Sequence, residues 1–91
     1  MNNLNDTNEI WEFNRLVDPE HSWLDVPLED VRFADVKITS YSPRKKGRVY
    51  LEEDVDMYAF INALKAKGIA VEMNTVHIEN FDVYIGRYAQ V

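Results

Sequence analysis

The sequence predicts an α+β fold: a small, mostly antiparallel sheet with one main helix over residues 55–67 and one short helix over residues 27–34, both packed on one face. Three observations carry this reading. Met57, Phe60, Ile61 and Leu64 fall at i, i+3, i+4 and i+7 and make a single apolar stripe. Residues 36–41 and 49–51 are β-favouring runs on either side of Pro43 and Gly47, the pattern of an antiparallel hairpin. From Ile69 to Ile78, and again from Phe81 to about Tyr88, apolar and polar residues alternate with a period of two, as strands do.

Taken in order, residues 1–20 read as a partly flexible N-terminal extension ahead of a single domain over 21–91. The first residues are mostly Asn, Asp, Thr and Glu, with nothing apolar to dock them before Ile10. Ile10, Trp11 and Phe13 then offer a short apolar stretch suited to an edge strand or to packing on the domain. Asp18-Pro19 favours a turn, and Trp23–Val26 is a short strand candidate. Pro27 suits the first turn of a helix that Leu28, Val31 and Phe33 or Ala34 make amphipathic. For the main helix Asp54 is the expected N-cap, and Glu52, Glu53 and Asp56 place negative charge at the positive end of its dipole. Lys65, Lys67 and Gly68 close it. Glu79-Asn80 reads as the turn before the last strand.

With 91 residues, 46% hydrophobic and 29% charged, the chain has enough apolar matter for one small core. Its net charge of −6 is opposite to that of a protein held to phosphates. The absence of cysteine removes disulfides, thiol catalysis and sulfur-ligated zinc. No apolar run approaches the roughly 20 residues of a membrane span, and the N-terminus lacks the basic start and apolar stretch of a signal peptide. The expectation is a soluble, cytoplasmic protein. The charge lies in blocks: acidic through residue 35, purely basic from Lys37 to Arg48, and acidic again over Glu52–Asp56.

Catalytic patterns are weak. His21 and His77 stand in no metal-ligand spacing. His21 reads as a structural hydrogen-bonding residue at a strand entrance, and His77 as an outward strand residue. The acids over Glu52–Asp56 lack the glycine and ligand spacing of a calcium loop, and helix capping accounts for them. Ser22, Ser40 and Ser42 sit in no nucleophile elbow, and the isolated Gly47, Gly68 and Gly86 make no phosphate loop. The sequence therefore predicts no enzyme, no cofactor and no metal. A small metal-dependent hydrolase using His21 or His77 with the acids at 52–56 is the weakest of the readings weighed.

Two surfaces remain. Asp6, Glu9, Glu12, Glu20, Asp25, Glu29 and Asp30 are carboxylates spread over the acidic third, able to imitate phosphates and occupy a basic groove of a larger protein. Trp11 is their expected aromatic anchor, and Trp23 a core residue. The alternative is nucleic-acid binding through Arg44, Lys45, Lys46 and Arg48 with Tyr41 and Tyr50 as stacking platforms, set against a plain solvated hairpin tip that discourages edge pairing. A homodimer through an exposed strand edge is a further expectation.

His21-Ser22-Trp23-Leu24, then Ile38-Thr39-Ser40-Tyr41-Ser42, then Tyr50-Leu51-Glu52-Glu53-Asp54-Val55-Asp56 with Phe60 following, resembles a set of small uncharacterised bacterial proteins that occur with phages, plasmids and other mobile elements. The likeness covers residues 21–64. Ser22 stands where glycine is usual, Pro43 where a second tyrosine is usual, and Val55 where cysteine is common. The resemblance implies no activity and no catalytic residue. It implies a context, in which small non-secreted proteins block or divert host defence by binding a larger protein, as anti-CRISPR or antirestriction factors do.

Overall fold

The computed structural model describes residues 9–86. Five strands form one sheet: β1 (Glu9–Val17), β2 (Ser22–Pro27), β3 (Arg44–Lys45), β4 (Arg48–Glu52) and β5 (Ile69–His77). Their spatial order is β3-β4-β2-β1-β5. The helices are α1 (Leu28–Ala34), α2 (Tyr58–Ala66), which is entered through a π-helical segment at Glu53–Met57, and α3 (Phe81–Tyr84). The α+β class holds, with a sheet that is mixed rather than mostly antiparallel: β5 pairs with β1 in parallel over nine register positions, from Glu9↔Ile69 to Val17↔His77. The chain leaves β4, crosses through α2 and returns in the same direction three positions along the sheet, past β2 and β1, which requires a crossover and not a hairpin.

Residues 9–17, expected in an extension, are instead an interior strand held by β2 on one side and β5 on the other. The folded unit among the described residues therefore starts at β1, and a boundary at residue 20 divides nothing. Asp6 and the remainder of the N-terminal stretch expected to be flexible lie outside the described residues, as does the stretch beyond Gly86.

The pleat sorts side chains to two faces. On one, Phe13, Leu24, Val26, Val49 and Leu51 meet Val31 and Ala34 of α1 and Met57, Phe60 and Leu64 of the α2 region, forming the main core. Phe60 is fully buried, with its ring edge-on to Phe13 at 5.5 Å. On the other, a smaller cluster of Leu16, Trp23 and Tyr50 is capped by Phe81 and Ile85. So both α1 and α2 pack on the expected face, while α3 covers part of the opposite one.

Three expected elements differ. Residues 36–41 are not a strand: Val36 and Ile38 pack on the core, but Thr39 and Ser42 turn their hydrogen-bonding groups to Asp56. Local side-chain bonding of this kind competes with a sheet ladder. Only Arg44–Lys45 pairs with β4, through a two-residue turn in which Lys46 and Gly47 both have positive φ (52° and 80°), the primed geometry that suits strand twist. The main helix is capped by Glu52, not Asp54; the Glu52 side chain accepts from the Asp54 amide at 3.1 Å. The expected last strand is α3, because the Asn80 side chain accepts from the Val83 amide at 3.0 Å and Phe81 and Ile85 share one face at i, i+4. Among the described residues, no helix is long and apolar enough to cross a membrane.

Candidate functional site: an acidic, aromatic groove

The corner between β1 and β2 is built by Asp18. One of its carboxyl oxygens accepts from the amides of Glu20 and His21, both at 2.9 Å, and the other accepts from the Phe81 amide at 3.2 Å. One side chain thus fixes the turn that carries His21 and docks the start of α3 beside it. Burial pushes the Asp18 carboxyl upward, but these three backbone donors and the neighbouring His21 outweigh it and hold the group below its ordinary value. Trp23 lies flat against Phe81, with ring centroids 3.8 Å apart and planes 11° from parallel, and His21 leans on Trp23 at 5.8 Å.

Across from this wall, the segment 39–42 is anchored to the start of the α2 region. Asp56 is only 1% exposed. Its carboxyl group accepts from the Thr39 amide (3.0 and 3.2 Å), the Thr39 hydroxyl (2.7 Å) and the Ser42 hydroxyl (2.5 Å). Ser42 Oγ in turn accepts from the Glu52 amide at 2.8 Å. The result is that Tyr41 stands out from a rigid base, 76% exposed. Ser22 Oγ donates to Glu53 at 2.6 Å and Arg15 pairs with the other Glu53 oxygen at 3.2 Å, tying β1 and β2 to the same segment. The Ser22 hydrogen bond leads the causes that hold the Glu53 carboxyl below its ordinary value; burial opposes it, and Arg15 adds to it.

Two clefts open where these elements meet, of about 450 and 440 Å³, and they share His21, Trp23 and Tyr41. Asp18, Glu20 and Asp82 line the first, Glu52, Asp54 and the exposed Val55 the second, and among the described residues neither is lined by lysine or arginine. Together they form a groove with an aromatic floor and acidic rim. Such a surface attracts guanidinium or ammonium groups by charge and by the exposed ring of Tyr41. The segments 21–24, 38–42 and 50–56 meet here: the first and third through Ser22–Glu53, the second and third through Thr39, Ser42 and Asp56.

The expected acidic surface is not one surface. Glu12, Asp25 and Asp30 do converge, around a separate polar cleft of about 390 Å³ that also holds Arg48. Arg48 Nε sits 2.8 Å from Asp25, so one of these charges is already answered within the chain. Burial, helped by Glu29, raises the Asp30 carboxyl above its ordinary value, with Arg48 opposing. Glu20 stands at the aromatic groove. Glu29 is exposed on α1, and Glu9 is exposed at the start of β1. Trp11 is half-buried against Phe33 of α1, with centroids 5.6 Å apart, a packing contact and not a projecting anchor.

The basic loop is likewise divided. Tyr50 is buried against Phe81 and offers no stacking face. Lys45 donates to the Ile85 carbonyl and Arg48 pairs with Asp25, leaving Arg44 and Lys46 exposed at the hairpin tip. His77 is exposed on β5. Among the described residues, no three His, Asp or Glu side chains are grouped as a metal ion would require. Compared with known proteins, the chain matches no family model, no curated protein and no solved structure.

The carboxyls of Asp18 and Glu53 give a pH dependence of known sign. Both are held below their ordinary values in the fold, so each contributes stability that is present above its unfolded value and is lost as the pH falls through its folded one. Melting temperature is expected to hold steady down to about pH 5 and to drop below about pH 4, the ordinary carboxylate range. The variant S22A, lacking the largest cause of the Glu53 shift, should show a shallower acid limb in the same melting series.

Proposed function

We propose that the protein acts by binding, as a small inhibitor that covers a basic surface of a larger protein with its acidic, aromatic groove. The observation that supports this most is the lining itself: His21, Trp23 and Tyr41 surrounded by carboxylates, with no lysine or arginine among the described residues there. Positively charged grooves that hold nucleic acid present the complementary chemistry, arginine and lysine side chains on a water-filled track. The resemblance to proteins of mobile elements makes a nucleic-acid-binding defence complex of the host the fitting target, of anti-CRISPR or antirestriction type. The imitation of nucleic acid is then local, resting on one groove rather than on the acidic third as a whole.

A rigid anchor with exposed Tyr41 also suits an interface. Tyrosine is favoured at binding hot spots, and here its backbone geometry is set before a partner arrives. The test is retention of a partner from native host lysate on immobilised protein, compared across three forms. Wild type and R44E/K46E are expected to retain the same partner. Y41A combined with E20K and D54K should lose it by a factor of ten or more, while melting within a few degrees of wild type because all three residues are exposed. If R44E/K46E loses the partner and the groove variant keeps it, the basic-loop reading takes its place.

A further inference from the structure

The sheet ends on one side at β5, whose outer edge has no strand beside it among the described residues. Sheet edges are usually blunted by shortness, proline, lysine or a covering element. The opposite edge obeys this: β3 is two residues long and carries Arg44 and Lys45. β5 does not. It runs nine residues, Ile-Ala-Val-Glu-Met-Asn-Thr-Val-His, with no proline, no lysine and Glu72 as its one carboxylate. Its residues 72–75 are all exposed, so α2 covers only its beginning.

We propose that two copies of this chain pair antiparallel along β5, about a two-fold axis at Met73, joining their sheets into one. The strand is complementary to itself in this register. Ile69 faces His77 of the other copy, Ala70 faces Val76, Val71 faces Thr75, Glu72 faces Asn74 and Met73 faces Met73. All nine residues are used, every residue keeps its own face of the sheet, and no like charges are directly opposed. The register with Glu72 on the axis opposes two carboxylates and shortens the pairing.

A second observation supports the same occupant. A cleft of about 310 Å³ opens between α2 and β5 at this edge, lined by Ile61, Lys65 and Gly68–Val71. In the two-fold arrangement Met73 of each copy lies diagonal to Val71 of the other, within reach of this apolar wall for a long, flexible side chain. Met73, 42% exposed in the single chain, would be covered there.

Sedimentation velocity over a concentration series tests this. Wild type is expected to shift from the mass of one chain to that of two as concentration rises. M73K and M73E should each stay at one chain, and an equimolar mixture of the two should restore the two-chain species, because Lys then faces Glu across the axis. The chain has no cysteine. M73C therefore offers a single thiol and should form a covalent dimer under mild oxidation, whereas V83C, on the exposed side of α3, should not. This comparison decides the matter if the charged variants fold poorly. Wild type remaining at one chain throughout, M73K dimerising like wild type, or V83C cross-linking as fast as M73C would each overturn the proposal. The first of these is also the result expected if the edge serves only an extended segment of a different protein.

Discussion

D56A is expected to lower the unfolding free energy by about 3–4 kcal/mol, a large share of the 5–10 kcal/mol typical of a chain this size. The carboxyl group is buried and gathers the Thr39 amide with the hydroxyls of Thr39 and Ser42. Alanine leaves that amide without its acceptor, and a buried, unsatisfied donor costs about 1–3 kcal/mol. The two hydroxyls lose theirs as well, and a cavity opens beside the fully buried core residues. For a domain of this length the melting temperature should fall by roughly 15–25 °C. D56N, which keeps the volume and one acceptor oxygen, should cost less than half as much. Denaturant titration at neutral pH measures both; a fall in midpoint with unchanged slope marks a loss of stability alone.

W23A is the second large effect, and it differs in kind. Truncating a buried aromatic costs about 3–5 kcal/mol, and Trp23 is 8% exposed between Leu16, Tyr50 and the stacked Phe81. The loss falls on the smaller cluster, not the main core. α3 has four residues and no stability of its own. It is held by Phe81 and Ile85 together with two tethers, from Asp18 to the Phe81 amide and from Lys45 to the Ile85 carbonyl. Hydrogen exchange in W23A should therefore accelerate at the amides of Tyr84–Gly86 well before those of α2. In D56A, exchange should rise chiefly around Thr39 and the start of the α2 region. Because Trp23 also floors the groove, W23A should lose partner binding even where the rest of the sheet survives.

These two residues also show where sequence reading succeeds and where it stops. The stripe Met57–Phe60–Ile61–Leu64 identifies the main helix because period and burial coincide there, and all but half-buried Ile61 are in the core. Trp23 as a core residue, α1 after Pro27, and β5 were legible for the same reason. Strand partners were not: alternation reports that a segment has two faces, not which strand lies beside it, so the parallel β1–β5 ladder was hidden. Phe81, Val83 and Ile85 satisfy a strand pattern and also place Phe81 and Ile85 on one helical face. Asn80 as an N-cap was the available signal. Asp56 read as dipole compensation, since nothing local shows that Thr39 and Ser42 turn toward it.

The groove was harder still. Its walls come from 18–23, 40–43, 52–55 and 80–82, four segments brought together by the fold. Charge counting in the first 35 residues pointed to a surface, but successive strand residues face opposite ways. Glu12 and Asp25 therefore part from Trp11, and Glu20 ends up elsewhere. Tyr50 and Arg48 left the basic loop for similar reasons, one by packing and one by pairing. Spacing along a chain fixes a face only within one element.

The proposed inhibitor works only if its groove reads cationic side chains. Chemical-shift mapping with an arginine-rich peptide tests it most directly. Saturable shifts are expected, centred on His21, the Trp23 indole and Tyr41, weakening as salt is added and abolished by E20K with D54K. Shifts confined to Glu12, Asp25 and Asp30, or no saturable shift at low salt, would contradict it.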